Sequence, residues 1–490
     1  MKYTTPEKIG IKSENIEKFI RVLEENNLAM HDIIIARGDS IGYEAYWKPF
    51  DESFAHRQYS VTKSIISIAV GFAIQDGLLD IDKTVVDYFP EETKNMHNEY
   101  KRNLTIRHML TMTTTNIGAS HLADKENDRV QHYFTDRKQP YRSAGAFFRY
   151  DSEGTFVVCA LIERLAKQKI GDYLYDKLFK HIGIEKGSYE FLSCPGGHTW
   201  GDSALIMRPE DMLKIARFTL NYGTWEGKRL LNEAYLKTAT SKLVDNSTVG
   251  DEQYDTLGYG YYIWRTYENS FAFFGMGNQE VICVPHKDII FVCNADNQGK
   301  QYARKVIFDS FFKLIVDTAE EKEIEEDKEA VSRLKGLTSS LTLAVARGRA
   351  YSDFSKEING RTYFLTDNDM GIKHIMLKFF DDGGEFIYEN AQGNKIIPFG
   401  MCKNVFFDFP QRGYSYEMSS VPSEHLYHSA GSASWLEDKK LLIKVQAIDK
   451  YFGLLDIILS FVGNEVFVSM TKAAEDFFGE YSGEAVGSAK

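Results

Sequence analysis

Cysteine, proline and long apolar runs are all scarce in this 490-residue chain, and each scarcity excludes something. The five cysteines (Cys159, Cys194, Cys283, Cys293, Cys402) are an odd number without a short-spaced pair, which fits reduced thiols in a cytoplasmic chain. Cys283 and Cys293 could face each other across a hairpin, a disulfide being the less favoured reading. Ten prolines, with 43% hydrophobic and 26% charged residues, fit an ordinary folded protein and exclude a disordered or collagen-like one. The longest nearly apolar run, Ile65 to Ile74, is ten residues broken by Ser67 and Gly71, whereas crossing a bilayer takes about 20. Met1 to Asn15 lacks the apolar stretch of a signal peptide, so export by that route is not expected and the expected location is the cytoplasm. The net charge of −12 lacks the basic excess that a phosphate backbone or an anionic membrane surface attracts, so neither nucleic acid nor membrane is an expected partner.

What is present is organised. At about 150 residues per domain the length implies two or three domains. An amphipathic helix over Ser13 to Asn26 precedes two strands, Asp32 to Arg37 and Tyr43 to Trp47, joined around Gly38 to Gly42. From Ser60 to Leu79 apolar residues crowd nearly every face, with Gly77 as a stop, which predicts a helix buried on most sides. Helical patterns follow at Thr105 to Thr111, Gly154 to Lys167, Gly171 to His181 and Pro209 to Leu220, giving a helical subdomain over about 84–250. Strand signals return at Tyr259 to Arg265, Ser270 to Phe274, Glu280 to Val284 and Ile289 to Cys293, so one antiparallel sheet is expected from both ends of a domain. A helix over Tyr302 to Val316 and the charge run Glu320 to Glu329 place the expected boundary: a first domain over 1–318, a charged linker or helix over 319–334, and a β-rich sheet or barrel over 335–490. No repeat of fixed period occurs.

Ser-x-x-Lys places a hydroxyl and an amine on one helix face, one turn apart. It occurs four times, at Ser60/Lys63, Ser310/Lys313, Ser332/Lys335 and Ser469/Lys472. Context separates them. Ser310 lies inside an amphipathic helix, Ser332 follows the charge run and Ser469 ends a strand, all ordinary surface settings. Ser60 instead opens the most buried helix, whose free N–H groups and positive dipole end lie where an oxyanion would develop, and Lys63 is the amine able to take its proton.

With that motif stand Tyr59-Ser60-Val61-Thr62-Lys63-Ser64, Gly77-Leu78-Leu79-Asp80-Ile81-Asp82-Lys83, Thr105 to Thr113, Asn221 to Leu231 and Gly258-Tyr259-Gly260-Tyr261-Tyr262-Ile263-Trp264. In this order they resemble the penicillin-recognising serine hydrolases, in particular the class C β-lactamase and serine esterase group, over about residues 5–315. The resemblance implies an α/β (α+β) fold of β-lactamase/transpeptidase type, an antiparallel sheet flanked by helices with a helical subdomain. It also implies a second motif at Tyr150-Asp151-Ser152, in which Tyr150 shares proton transfer with Lys63 and Ser152, standing for the usual asparagine, supports Lys63. The third motif, Lys-Thr-Gly or His-x-Gly in that family, matches only as Gly275-Met276-Gly277-Asn278-Gln279. By position the N–H of Asn278 pairs with that of Ser60 as an oxyanion donor, and Gly275 and Gly277 let substrate approach. The cation that would hold a β-lactam or peptidoglycan carboxylate is missing there.

Rival motifs carry less. Gly38-Asp39-Ser40-Ile41-Gly42 fits Gly-x-Ser-x-Gly, but a strand rather than a helix follows it. His425 and His428 have no obvious carboxylate partner in sequence and no His-Glu-x-x-His occurs, so no metal and no organic cofactor are expected. The reading is a serine hydrolase of a small-molecule ester or small amide. The alternatives are a D-amino-acid peptidase, D,D-carboxypeptidase or β-lactamase, and a non-catalytic ligand-binding member of the fold. The C-terminal domain has three open uses: walling the pocket, selecting substrate, or forming a homodimer contact.

Overall fold

The computed structural model describes residues 1–115, 128–135, 142–194, 196–248, 254–411, 425–450, 452–473 and 479–489. They fall into two compact units, residues 1–295 with 302–342, and residues 296–301 with the chain from 343 onward.

The first unit is built on a seven-stranded sheet in the order Lys2–Tyr3, Ser40–Tyr46, Met30–Arg37, Ile289–Ala295, Gln279–Val284, Phe271–Gly275, Trp264–Arg265. Every pairing is antiparallel except the first, so strands from both ends of the unit share one sheet, as expected. Helices Ser13–Glu25 and Ala303–Phe311 cover one face through Phe19, Phe308 and Phe311, with the Phe19 and Phe311 rings 5.8 and 4.7 Å from Phe291 of the sheet. Helices Val61–Gln75 and Pro209–Leu220 cover the other. The helix expected from Ser60 is Val61–Gln75, buried from Val61 through Ala73. It ends in a left-handed Gly77 (φ +72°), with the N–H of Gly77 bonded to the carbonyl of Ile74 and that of Leu78 to Ala73, a Schellman stop. Between these elements lies the helical subdomain, including Ile106–Leu110, Ser152–Ala166, Ile170–Lys177 and Glu233–Ala239.

Three expectations change. The strand drawn over Tyr259 to Arg265 contracts to Trp264–Arg265, because Gly258 (φ +127°) and Tyr262 (φ +55°) are left-handed and break the extended run. Cys283 pairs with Ile290 and Cys293 with Glu280, so the two thiols are not opposite each other, and none of the five cysteines forms a disulfide. The expected domain boundary in the charge run lies instead after Thr342. Helix Lys328–Ser340 packs on Ser13–Glu25, where Arg333 Nε donates to Glu17 (3.1 Å), and Thr338 shares a 2.7 Å hydrogen bond with the Tyr43 hydroxyl.

The second unit closes ten strands into a barrel. The order runs Gly393–Met401, Gly383–Asn390, His374–Phe379, Thr362–Leu365, Gly483–Ala489, Glu465–Ala473, Phe452–Val462, Lys440–Ile448, His428–Glu437, Val405–Asp408. A parallel pairing of Gly400 with Ser432 and Met401 with Ala433 closes the circle, which removes the open edges that a flat sheet would expose.

The core of the first unit makes a stability prediction. The Phe308 ring, fully buried, lies 5.2 Å from Tyr254, 5.5 Å from Phe274 and 6.0 Å from Phe312. Phe308→Ala is expected to cost about 3–5 kcal/mol in denaturant unfolding. A loss below about 1 kcal/mol would mean that this face does not carry the core.

Candidate active site

The short strand His56–Arg57 pairs with Leu205–Met207, and the Gln58 N–H extends it by donating to the Leu205 carbonyl (2.7 Å). Tyr59 then turns left-handed (φ +46°) and Ser60 right-handed, so strand becomes helix within two residues. Thr62 Oγ1 in the first helical turn accepts from the Leu205 N–H (3.2 Å), which ties the turn to its platform. Ser60 thus stands at the helix start, where backbone N–H groups have no helical partner and the dipole is positive.

Lys63 Nζ, one turn on and only 1% exposed, donates to Ser60 Oγ (2.9 Å) and to the backbone carbonyl of Asp202 (2.7 Å). The Tyr150 ring centroid lies 5.0 Å from the same Nζ, and the ring stacks on Trp264 at 5.8 Å and 21°. Ser60, Lys63 and Tyr150 therefore meet. Tyr150 is held from behind by Asp151, which caps helix Ser152–Ala166 by accepting from the Gly154 N–H (3.0 Å) and receives the hydroxyls of Thr114 (2.7 Å) and Tyr133 (3.2 Å). Ser152 is buried in the first helical turn, but among the described residues the hydrogen bonds of Lys63 go to Ser60 and Asp202.

Asp202 gave no signal in the sequence, because its contribution is a main-chain carbonyl that any residue could offer. Its loop is nevertheless fixed. The Arg57 guanidinium, fully buried, lies between the rings of Tyr59 (4.2 Å) and Trp200 (4.6 Å) and donates to the Ser203 carbonyl (3.2 Å) and hydroxyl (3.1 Å). One cation thereby joins the residue before Ser60 to the loop that holds Lys63. Gly201 is required there, since a Cβ would stand 2.3 Å from the Cys159 side chain.

On the sheet side, Gly275 ends the strand Phe271–Gly275 against this turn, and a Cβ on it would fall 2.5 Å from the Gln58 carbonyl. Gly277 (φ +77°) and Asn278 (φ +73°) lie in the hairpin beyond. The Asn278 amide donates to Glu280 (2.8 Å), which also receives Arg304 Nε (2.9 Å), while Arg304 Nη2 reaches the Gly275 carbonyl (3.2 Å). Gln279 Nε2 donates to the Met276 (2.9 Å) and Ala295 (2.6 Å) carbonyls. The hairpin is pinned from both limbs, with Met276 39% exposed between them.

Beneath the Ser60 turn lies a wholly buried polar chain that sequence reading missed. Gln58 Nε2 donates to Asn294 Oδ1 (3.0 Å), and Asn294 Nδ2 donates to both oxygens of Asp32 (2.9 and 3.0 Å), with His56 Nδ1 3.4 Å from Asp32. Burial raises the Asp32 carboxyl to about 8 and lowers the His56 imidazole to about 3, so both are neutral at pH 7. Elsewhere, His425 and His428 do have carboxylate partners, Asp449 (2.8 Å) and Asp408 (3.3 Å), and no cluster of three His, Cys, Asp or Glu suited to a metal occurs among the described residues. No helix among the described residues is long and apolar enough to cross a membrane.

A serine bonded to a lysine at the head of a buried helix, set against the edge of an antiparallel sheet, places the first unit in the serine-hydrolase fold shared by β-lactamases and penicillin-binding proteins. The Beta-lactamase family model matches residues 31–307, more than half of the chain, and the chain belongs to that family. Among curated proteins, the uncharacterized protein BpOF4_21049 of Alkalihalophilus pseudofirmus is 23% identical over 257 residues, which is 47% of this chain and 70% of that one. Among solved structures, a candidate β-lactamase from Bacteroides dorei is 14% identical at a TM-score of 0.52, covering 61% of this chain and 97% of its own. A candidate 6-aminohexanoate-dimer hydrolase from Bacillus anthracis is 15% identical at a TM-score of 0.50, covering 64% and 85%.

The buried carboxyl sets a pH dependence. Its folded pKa, near 8, exceeds its unfolded value near 3.8, so its stabilising contribution is complete below about pH 4 and is lost as pH rises through about 8. Unfolding free energies from pH 5 to pH 9 are expected to shift progressively in favour of Asp32→Asn relative to the unsubstituted protein. A constant difference across that range would mean that Asp32 is ionised throughout. The Asp202 loop makes a second, independent prediction: Gly201→Ala lowers stability by about 1–3 kcal/mol through overpacking against Cys159, read by thermal or denaturant unfolding.

Proposed function

We propose that the chain is a serine hydrolase that cleaves a small-molecule ester or small amide through an acyl-enzyme on Ser60. The observation that carries this reading is the 2.9 Å hydrogen bond between Lys63 Nζ and Ser60 Oγ at the helix start, with Tyr150 over the same nitrogen. Lys63 takes the Ser60 proton as Oγ attacks the carbonyl carbon, and Tyr150 and Lys63 deliver it to the leaving group as the carbonyl–heteroatom bond breaks. The oxyanion is held by the Ser60 N–H and a backbone N–H of the Gly275–Asn278 turn, that of Asn278 by its place in the third motif. Water activated by the same pair then hydrolyses the ester on Ser60. The names of the two structural relatives concern different carbonyl compounds, a β-lactam and a 6-aminohexanoate dimer, so the fold leaves the substrate to the side chains.

The missing strand cation argues against a carboxylate-bearing β-lactam or peptidoglycan stem. Gly275, Met276 and Gly277 occupy that stretch, and Arg304 behind it is engaged by Glu280 and the Gly275 carbonyl. Incubation with a fluorophosphonate is expected to label the protein stoichiometrically on Ser60, not at all in Ser60→Ala, and about 10²–10⁴-fold more slowly in Lys63→Ala. Hydrolysis of p-nitrophenyl butyrate is expected to exceed that of nitrocefin. Folded protein that resists the reagent would move the assignment to a ligand-binding member of the fold.

A further inference from the structure

The edge of a sheet is a template, because its outward N–H and C=O groups can pair with any extended chain laid beside it. Here the strand next to the nucleophile, Phe271–Gly275, has much of that edge already taken. Trp264–Arg265 pairs with it antiparallel, Ala272 opposite Trp264 and Phe271 opposite Arg265. What remains beside the nucleophile turn is Phe273 to Gly275, about 10 Å of strand at roughly 3.3 Å per residue.

The indole of Trp264 narrows even that. Its ring lies 5.6 Å from Phe274 and 5.8 Å from Tyr150, so it stands at the strand edge between the sheet and the tyrosine over Lys63. The wall is braced. Tyr259 (4.9 Å) and Phe148 (5.8 Å) pack on the indole, and the Arg265 N–H returns to the Gly258 carbonyl (2.9 Å). Ser64, on the nucleophile helix, donates its hydroxyl to the Tyr262 carbonyl (2.6 Å), and the Tyr262 N–H reaches the Leu110 carbonyl (2.9 Å). Gly260 is pressed so close to the Ala239 carbonyl that a Cβ would stand 2.0 Å from it. The segment before Trp264 therefore has little freedom to swing away.

We infer that Trp264 is a specificity-determining residue that closes the lane beside the edge strand and restricts the site to esters or amides of compact acids, excluding an extended peptidyl chain. This rests on the serine-hydrolase reading above. The test compares two esters with one leaving group, p-nitrophenyl butyrate and the p-nitrophenyl ester of an N-acetylated tri-D-alanine, with active sites counted by fluorophosphonate labelling. The butyrate is expected to be favoured in kcat/KM by at least about tenfold, Trp264→Ala to shrink that preference by about tenfold or more, and Trp264→Phe to fall between. Because the readout is a ratio, a general loss of rate in either variant does not blur it. A peptidyl ester turned over as well as butyrate, or a preference unchanged in Trp264→Ala, overturns the inference. Absence of labelling in the unsubstituted protein would instead overturn the hydrolase reading and this one with it.

Discussion

The arrangement of the first unit follows from one constraint: a lysine almost wholly removed from water must have its nitrogen satisfied inside the protein. Lys63 is placed there by a helix buried along nearly its whole length, and two acceptors answer it, Ser60 Oγ and the Asp202 carbonyl. The first is the atom proposed as the nucleophile. The second requires a loop to be brought to the helix and kept there, which explains why a buried arginine, two aromatic rings and an obligatory glycine gather around residues that do no chemistry themselves. The same reasoning accounts for Ser152. A carbonyl from another segment occupies Lys63, and among the described residues its hydrogen bonds go there and to Ser60 rather than to the Ser152 side chain.

What could be read in the sequence divides along a physical line. The meeting of Ser60 and Lys63 was legible because it depends on side-chain type and on the helical period, both of which a sequence displays. Gly275 was legible as a glycine, although its reason, the Gln58 carbonyl, was not. Asp202 acts through its main chain and the Asp32–Asn294 bond joins residues 262 apart, so neither leaves a local pattern. In the barrel, the strand His428–Glu437 has a Ser-Ala-Gly-Ser-Ala-Ser stretch without the branched and aromatic residues that mark a strand in sequence; its neighbours impose the conformation. The charge run suggested a boundary, yet a helix beginning within it still had an apolar stripe to bury, with Leu334 in the core of the first unit.

The buried chain under the nucleophile turn shows how a costly arrangement can still be a coherent one. Asp32 and His56 are both driven to their neutral forms by burial, so the carboxyl and imidazole are carried at the expense of stability rather than for an ion pair. What they accompany is an amide relay with a definite direction: Gln58 donates to Asn294, which donates to Asp32. Gln58 is also the residue whose N–H joins the Leu205 strand and whose carbonyl Gly275 approaches. Its side chain reaches the seven-stranded sheet at Asn294, and its main chain joins the strand Leu205–Met207 of a separate three-stranded sheet.

That double anchorage bears on the departure from the family's third motif. Where a lysine or histidine stands on the edge strand, recognition of a substrate charge can be shared by a cation. Here the strand offers two phenylalanines and a glycine, and the neighbouring Arg304 and Glu280 are bonded to the hairpin itself. The polar groups around Ser60 accordingly hold the protein's own backbone in place, on Gln58, Gly275, Met276 and Asn278, and among the described residues the aromatic rings of Tyr150 and Trp264 stack beside Lys63. On the proposed hydrolase reading, a site built this way selects by shape and by the geometry of two backbone donors rather than by charge.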